Sequence, residues 1–209
     1  MMTITISRYH SLLYRALFLM SFFLFLGFQP PQPNNIFTES ELHSLPDLIQ
    51  LKLRYHLGGN KDKQMLKLIR HYTQIYGAGY FTVHHFGKGL IYLNRAQFNA
   101  TNTTYKARML KYAIEELGYA LDPNKLVKWG NNKAFETTFV YLMYSKRGEA
   151  YMQQGNLAAA ASDFMHSINI MPSYANAYVS LSQCYRRIGD TRKADEILKK
   201  LHSRPSVSK

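Results

Sequence analysis

The chain has 209 residues with 26 Lys and Arg against 13 Asp and Glu, a formal charge of +13, a pI near 9.7 and one cysteine. That length suits one body or a short array of repeating units and argues against two large independent domains. The lone Cys184 excludes an intrachain disulfide and a thiolate metal cluster, while the basic excess favours anionic partners: acidic protein, anionic lipid or nucleic acid.

Residues 1–28 read as a targeting or anchoring segment. Arg8 and Arg15 precede an uncharged apolar run from Ala16 to Phe28, and Pro30, Pro31 and Pro33 come after it. Thirteen largely apolar residues suit a secretory signal better than a full span of about 20. Against cleavage, Gly27 is small but Phe25 two places before it is bulky, so an uncleaved membrane anchor is the rival reading. Both leave the positive charges inside and put the body on the far side of a membrane, the periplasm in a bacterium. Residues 29–37 form a stiff, extended proline-rich spacer.

From Thr38 onward no strand-like alternation persists, and glycines and prolines punctuate helices. In residues 38–140, "LKLRYHLGGNKDKQMLKLIRHYTQIY" (Leu51 to Tyr76) reads as helix, turn and helix, with Tyr55 and Gly59 near the turn. "KGLIYLNRAQ" places Gly89 three before Tyr92, "NATNTT" (Asn99 to Thr104) makes a long turn, and "EELGYALDPN" ends a second helix. "NKLVKWGNN" (Asn124 to Asn132) separates this pair from the last third of the chain.

That last third is the most regular. "RGEAYMQQGN" (Arg147 to Asn156) is answered 34 positions later by "LSQCYRRIGD" (Leu181 to Asp190): Gly148 returns as Ser182, Tyr151 as Tyr185 and Gly155 as Gly189. A small residue lets two helices of a hairpin approach closely, the tyrosine fills the wedge beside it, and the glycine ends the first helix at positive φ. Ala160 and Phe164, then Ala194 and Leu198, carry the second helices.

This spacing resembles the tetratricopeptide repeat family, a 34-residue helical hairpin. With Tyr141 first, the matches are Gly148, Tyr151, Gly155, Ala160, Phe164 and Pro172; with Ala175 first, they are Ser182, Tyr185, Gly189, Ala194, Leu198 and, one place early, Pro205. The resemblance implies an all-α fold, a right-handed superhelical stack of antiparallel helix pairs, with repeats at 141–174 and 175–208 and degenerate hairpins at 38–140. It further implies a concave groove at Leu142, Ser145, Glu149 and Met152, then Asn176, Val179, Gln183 and Arg186, for an extended peptide or helix of partly acidic character. Members that clamp the acidic C-terminus of a chaperone carry Lys and Asn where this chain has Ser145 and Glu149, so that specificity is not implied.

Chemistry is sparse. Adjacent His84 and His85 point about 100° apart on a helix, with no carboxylate or further His within one turn, and read as core and surface histidines. "GKG" at 87–89 lacks the upstream glycine and the Ser or Thr of a phosphate loop. Glu115 and Glu116 face different sides of a helix, Asp190 opens the second helix of its hairpin, and Cys184 reads as a half-buried filler. The sequons at Asn99 and Asn102 matter only where host and compartment glycosylate. Sixteen tyrosines and twelve phenylalanines read as packing residues, not a base-stacking surface.

No catalytic residue, cofactor, metal or small-molecule substrate is expected. The basic excess is spread, 14 basic and 8 acidic residues over 34–140 and 10 and 5 over 141–209, which disfavours a dedicated nucleic-acid arm. The function expected is a non-enzymatic interaction scaffold or assembly factor in an envelope complex, contacting the membrane through its N-terminal segment. The alternatives are a basic helical-repeat protein binding nucleic acid and a regulatory subunit of an enzyme.

Overall fold

A computed structural model describes residues 37–58, 61–98, 103–122 and 132–203. The expected signal or anchor, nearly all of the spacer, both sequons and Pro205 lie outside them. Among the described residues every regular element is helical: α1 (Glu39–His43), α2 (Asp47–His56), α3 (Lys63–Tyr76), a 3-10 turn (Gly77–Thr82), α4 (Val83–Phe98), α5 (Thr103–Ala120), α6 (Tyr141–Gln154), α7 (Leu157–Ile170), α8 (Ala175–Ile188) and α9 (Thr191–His202). A single turn (Lys133–Phe135) and a π-helical segment (Glu136–Val140) run into α6. No described helix is long and apolar enough to cross a membrane.

The helices begin where side chains satisfy their orphan N–H groups. Thr38 and Glu41 form a reciprocal capping box on α1, Asp62 accepts from Met65 N at 2.7 Å to open α3, and Asn156 and Asp190 do the same for α7 and α9. Gly155 and Gly189 close α6 and α8 at φ of 88° and 93°. Their amides and those of Asn156 and Asp190 bond back to the last carbonyls of the helix, a left-handed C-cap that a residue with a Cβ reaches only with strain.

From α4 onward the helices pair and stack. α4 lies along α5, α6 along α7 and α8 along α9; each second helix packs on the next first helix, α5 on α6 and α7 on α8. First helices of successive pairs also touch, α4 with α6 and α6 with α8. This arrangement, repeated without a strand, is the solenoid stacking that the 34-residue period implied.

The close approach has the same chemistry in two of the pairs. A Cβ on Gly148 would lie 2.9 Å from Phe164 Cε1, and a Cβ on Gly89 would lie 2.6 Å from Leu117 Cγ. Four residues before each partner of the second helix stands a fully buried alanine: Ala113 before Leu117, Ala160 before Phe164, Ala194 before Leu198. Tyr151, Ile168, Tyr185 and Ile197 pack against the core formed by Ala160, Ala161, Phe164, Leu181 and Cys184. Cys184 is fully buried, deeper than the half-buried filler expected, because it lies at this junction of the two pairs.

Residues 38–82 are arranged differently. α2 and α3 occupy the expected helix, turn and helix, but α2 lays its main face on α4 and touches α3 less. Ile49 and Leu53 are buried there, with their side-chain atoms against Gly87. α1 is held to α4 by Glu41, which accepts from Arg95 Nη2 at 2.8 Å; that hydrogen bond holds the Glu41 carboxyl below its ordinary range. Buried Tyr80, its phenol donating to Leu48 O at 3.1 Å, joins Tyr72, Tyr76 and Phe139 in an aromatic cluster that ties α3 to the π segment.

Candidate functional site

The two regular pairs, α6–α7 and α8–α9, are fixed internally before either offers anything to a partner. Arg147 of α6 grips Asp163 of α7 through two hydrogen bonds, Nε to Oδ2 at 2.8 Å and Nη2 to Oδ1 at 2.7 Å. Asp163 is only 5% exposed and Arg147 20%, so the fork is a desolvated, geometrically complementary match. The Tyr144 and Tyr151 rings stand 5.5 and 5.9 Å from the guanidinium carbon. Tyr144 stacks on His166 of α7, and Tyr141 meets Tyr174 edge-on.

Of the structural positions, Gly148, Ala160, Phe164, Ser182 and Ala194 are buried, Tyr151, Tyr185 and Leu198 are half-buried, and Gly155, Gly189 and Pro172 sit exposed at turns. Pro172 comes directly after the end of α7 at Met171. These positions make the fold and leave the face free for other residues.

The eight groove positions divide unevenly. Asn176, Val179, Gln183 and Arg186 of α8 are exposed, with Val179 41% open despite being apolar. Leu142, Glu149 and Met152 of α6 are half-buried. Ser145 departs from the expectation: it is 1% exposed, because α6 is flanked by α5, α7 and α8 and an interior helix has little free surface. Met152 packs against the core junction, and Glu149 is held by Lys146 Nζ at 2.8 Å.

Arg186 and Arg187, at the end of α8, have partners within the chain. Arg186 Nη2 lies 3.0 Å from Asp195 Oδ1 of α9, and Arg187 Nη1 donates to Met152 O at 3.0 Å. The first pair is 57% and 71% exposed, and such pairs contribute roughly 0–1 kcal/mol. A partner carboxylate can therefore replace Asp195 at small cost. Arg187 instead serves as a clamp between the two hairpins.

Further upstream, the structure assembles a cluster that no single helical turn contains. His56 of α2 stacks on His84 of α4 with ring centroids 3.7 Å apart, and His85 Nδ1 lies 2.5 Å from Glu116 Oε2 of α5. Lys88 Nζ is 3.8 Å from the other oxygen. His84 is held to about 3 by burial and by the charges of its histidine neighbours. Among the described residues no three potential ligands are placed to hold a metal ion. Glu115 faces away, toward Lys111, and the "GKG" glycines and Lys88 are buried in mid-α4, where a phosphate cannot enter.

No curated protein matches the chain. Two solved structures named "MamA AMB-1", in crystal forms P212121 and C2221, resemble it at 16% and 17% identity. They cover 81% and 74% of this chain and 94% and 95% of their own, with TM-scores of 0.32 and 0.31. The assignment rests instead on the family model described as "Tetratricopeptide repeat", which matches residues 141–174 and 175–202. Over residues 141–202 this chain thus matches the tetratricopeptide repeat family.

Proposed function

We propose that the protein is a non-enzymatic interaction scaffold or assembly factor, exported or membrane-tethered through residues 1–28. It binds an extended peptide or a helix of an envelope-complex partner on the α6–α8 face. The observation that carries this reading is the exposed row Asn176, Val179, Gln183 and Arg186 on a first helix of a family that uses such faces for protein contacts.

An apolar Val179 beside exchangeable Arg186 suits a segment with an apolar anchor and an acidic neighbour. Half-buried Leu142 and Met152 would add a shallow apolar floor, and Ser145 contributes nothing to it. Export is inferred from the two arginines, the apolar run and the prolines of the first 33 residues.

The test is a tagged full-length chain fractionated from its own host in mild detergent, with the mature N-terminus sequenced and co-purifying chains identified. A membrane or exported fraction holding one stoichiometric protein partner supports the reading. A soluble chain in the compartment of synthesis, carrying nucleic acid in place of a protein, overturns it.

A further inference from the structure

A second feature lies outside the repeats, between α2, α3 and the 3-10 turn. A cleft of about 450 Å³ opens there, lined by Tyr55, Leu66, Ile69 and Phe81, with Arg70 and Gln74 on its polar edge. Its size falls in the ~300–1,000 Å³ range of small-molecule sites, and its lining matches their pattern of apolar walls with a few polar groups. Phe81 is 49% exposed, an unusual position for a phenylalanine that only completed a core.

Three cations stand at or beside this cleft. Arg70 stands on its rim, one turn from Gln74. Lys61 Nζ lies 4.8 Å from the Tyr55 ring centroid on one wall. Lys52, 2% exposed, holds its Nζ 4.3 Å from the Phe81 ring centroid and 5.2 Å from those of Tyr55 and Tyr80. None of the three cations is ion-paired with a carboxylate among the described residues, and no acid lines the cleft. Three partly buried cations elsewhere have carboxylate partners: Arg95 with Glu41, Lys88 with Glu116, Arg147 with Asp163.

A buried ammonium faced only by aromatic rings is incompletely compensated, and burial holds Lys52 down to about 8. An anion arriving in the cleft would compensate that charge, while an apolar tail would cover Leu66, Ile69 and Phe81.

We propose that this cleft binds a medium-chain monocarboxylate, its single apolar tail against Tyr55, Leu66, Ile69 and Phe81 and its carboxylate on the Arg70 guanidinium. The fork of Arg70 matches a carboxylate bidentately, and Lys52 and Lys61 add long-range attraction without contact. The site is independent of the α6–α8 face, so it stands or falls apart from the scaffold reading.

The experiment uses the full chain and dodecanoate bearing a tail diazirine, photolysed below its micelle concentration and mapped by peptide mass spectrometry. Labelling is expected in residues 55–81, competed by dodecanoate and not by dodecyltrimethylammonium. Arg70→Gln should reduce it by about tenfold, the loss of one charge-assisted contact, and Phe81→Asp should abolish it. Both side chains are exposed, and circular dichroism confirms that each variant keeps its helix. Absence of label from 55–81, equal competition by the cationic amphiphile, or label indifferent to Arg70→Gln would each overturn the proposal.

Discussion

Gly148→Ala tests the packing account at one carbon atom. In an ordinary helix interior this change stabilises by about 0.5–1 kcal/mol, because glycine loses more backbone freedom on folding. Here the new Cβ would stand 2.9, 3.1 and 3.2 Å from three ring carbons of Phe164. The ring cannot retreat, since Phe164 is fully buried, as are Leu181 and Cys184 in the same core. Overpacking of that kind costs roughly 1–3 kcal/mol, so the net expectation is a destabilisation of about 1 kcal/mol. In a Phe164→Leu background the obstructing ring edge is gone and alanine should regain its helical advantage. Urea unfolding of the four proteins closes a double-mutant cycle, with an expected coupling of about 1–2 kcal/mol. A Gly148→Ala variant more stable than the parent by the full propensity value would refute the close-approach argument.

Asp163→Ala should destabilise by about 3–5 kcal/mol, because it strands the Arg147 guanidinium without its fork partner; Arg147→Met combined with Asp163→Leu should recover most of that loss in the same urea assay. The urea midpoint should fall between pH 7 and pH 4. His84, held at about 3 in the fold, stays neutral there while the unfolded chain takes up its proton below about 6.5, so its contribution is complete above that value and declines toward 3. Glu41, lowered by Arg95, adds stability above the ordinary carboxylate range that is lost as pH falls through its folded value. His84→Gln should therefore reduce the slope from about pH 6.5 downward and leave the Glu41 part in place below the ordinary carboxylate range. Leu142→Arg and Arg186→Glu should each weaken partner capture by about tenfold or more, measured by quantitative pull-down; unchanged capture by both would remove the assigned face.

The repeats were legible because each of their signals is local and serves one purpose. Gly155 and Gly189 end a helix, Asn156 and Asp190 start the next, and Gly148 with Phe164 sets a hairpin's spacing within 16 residues. The α4–α5 pair was fainter, since more residues separate its helices in the sequence and its close contact joins Gly89 to Leu117, nearly twice as far along the chain. Ser145 was misplaced because a family register assigns a face without knowing which neighbours cover it, and α6 touches α4, α5, α7 and α8. The Arg147–Asp163 fork, the Glu41–Arg95 clamp and the convergence of His56 with His84 are side-chain meetings between helices, for which periodicity carries no signal. The cleft near Phe81 was equally hidden: its aromatic walls looked like core, and only their exposure and the company of Lys52, Lys61 and Arg70 set them apart.

The central claim is that a protein segment lies on the exposed face of α8. A photo-crosslinking amino acid placed in turn at Val179, Gln183 and, on the far helix, Lys199 tests it in the native host. The account predicts one protein adduct at Val179 and Gln183, lost when Arg186→Glu is added and absent from Lys199. Equal adducts from all three positions, or crosslinks to nucleic acid alone, would contradict it.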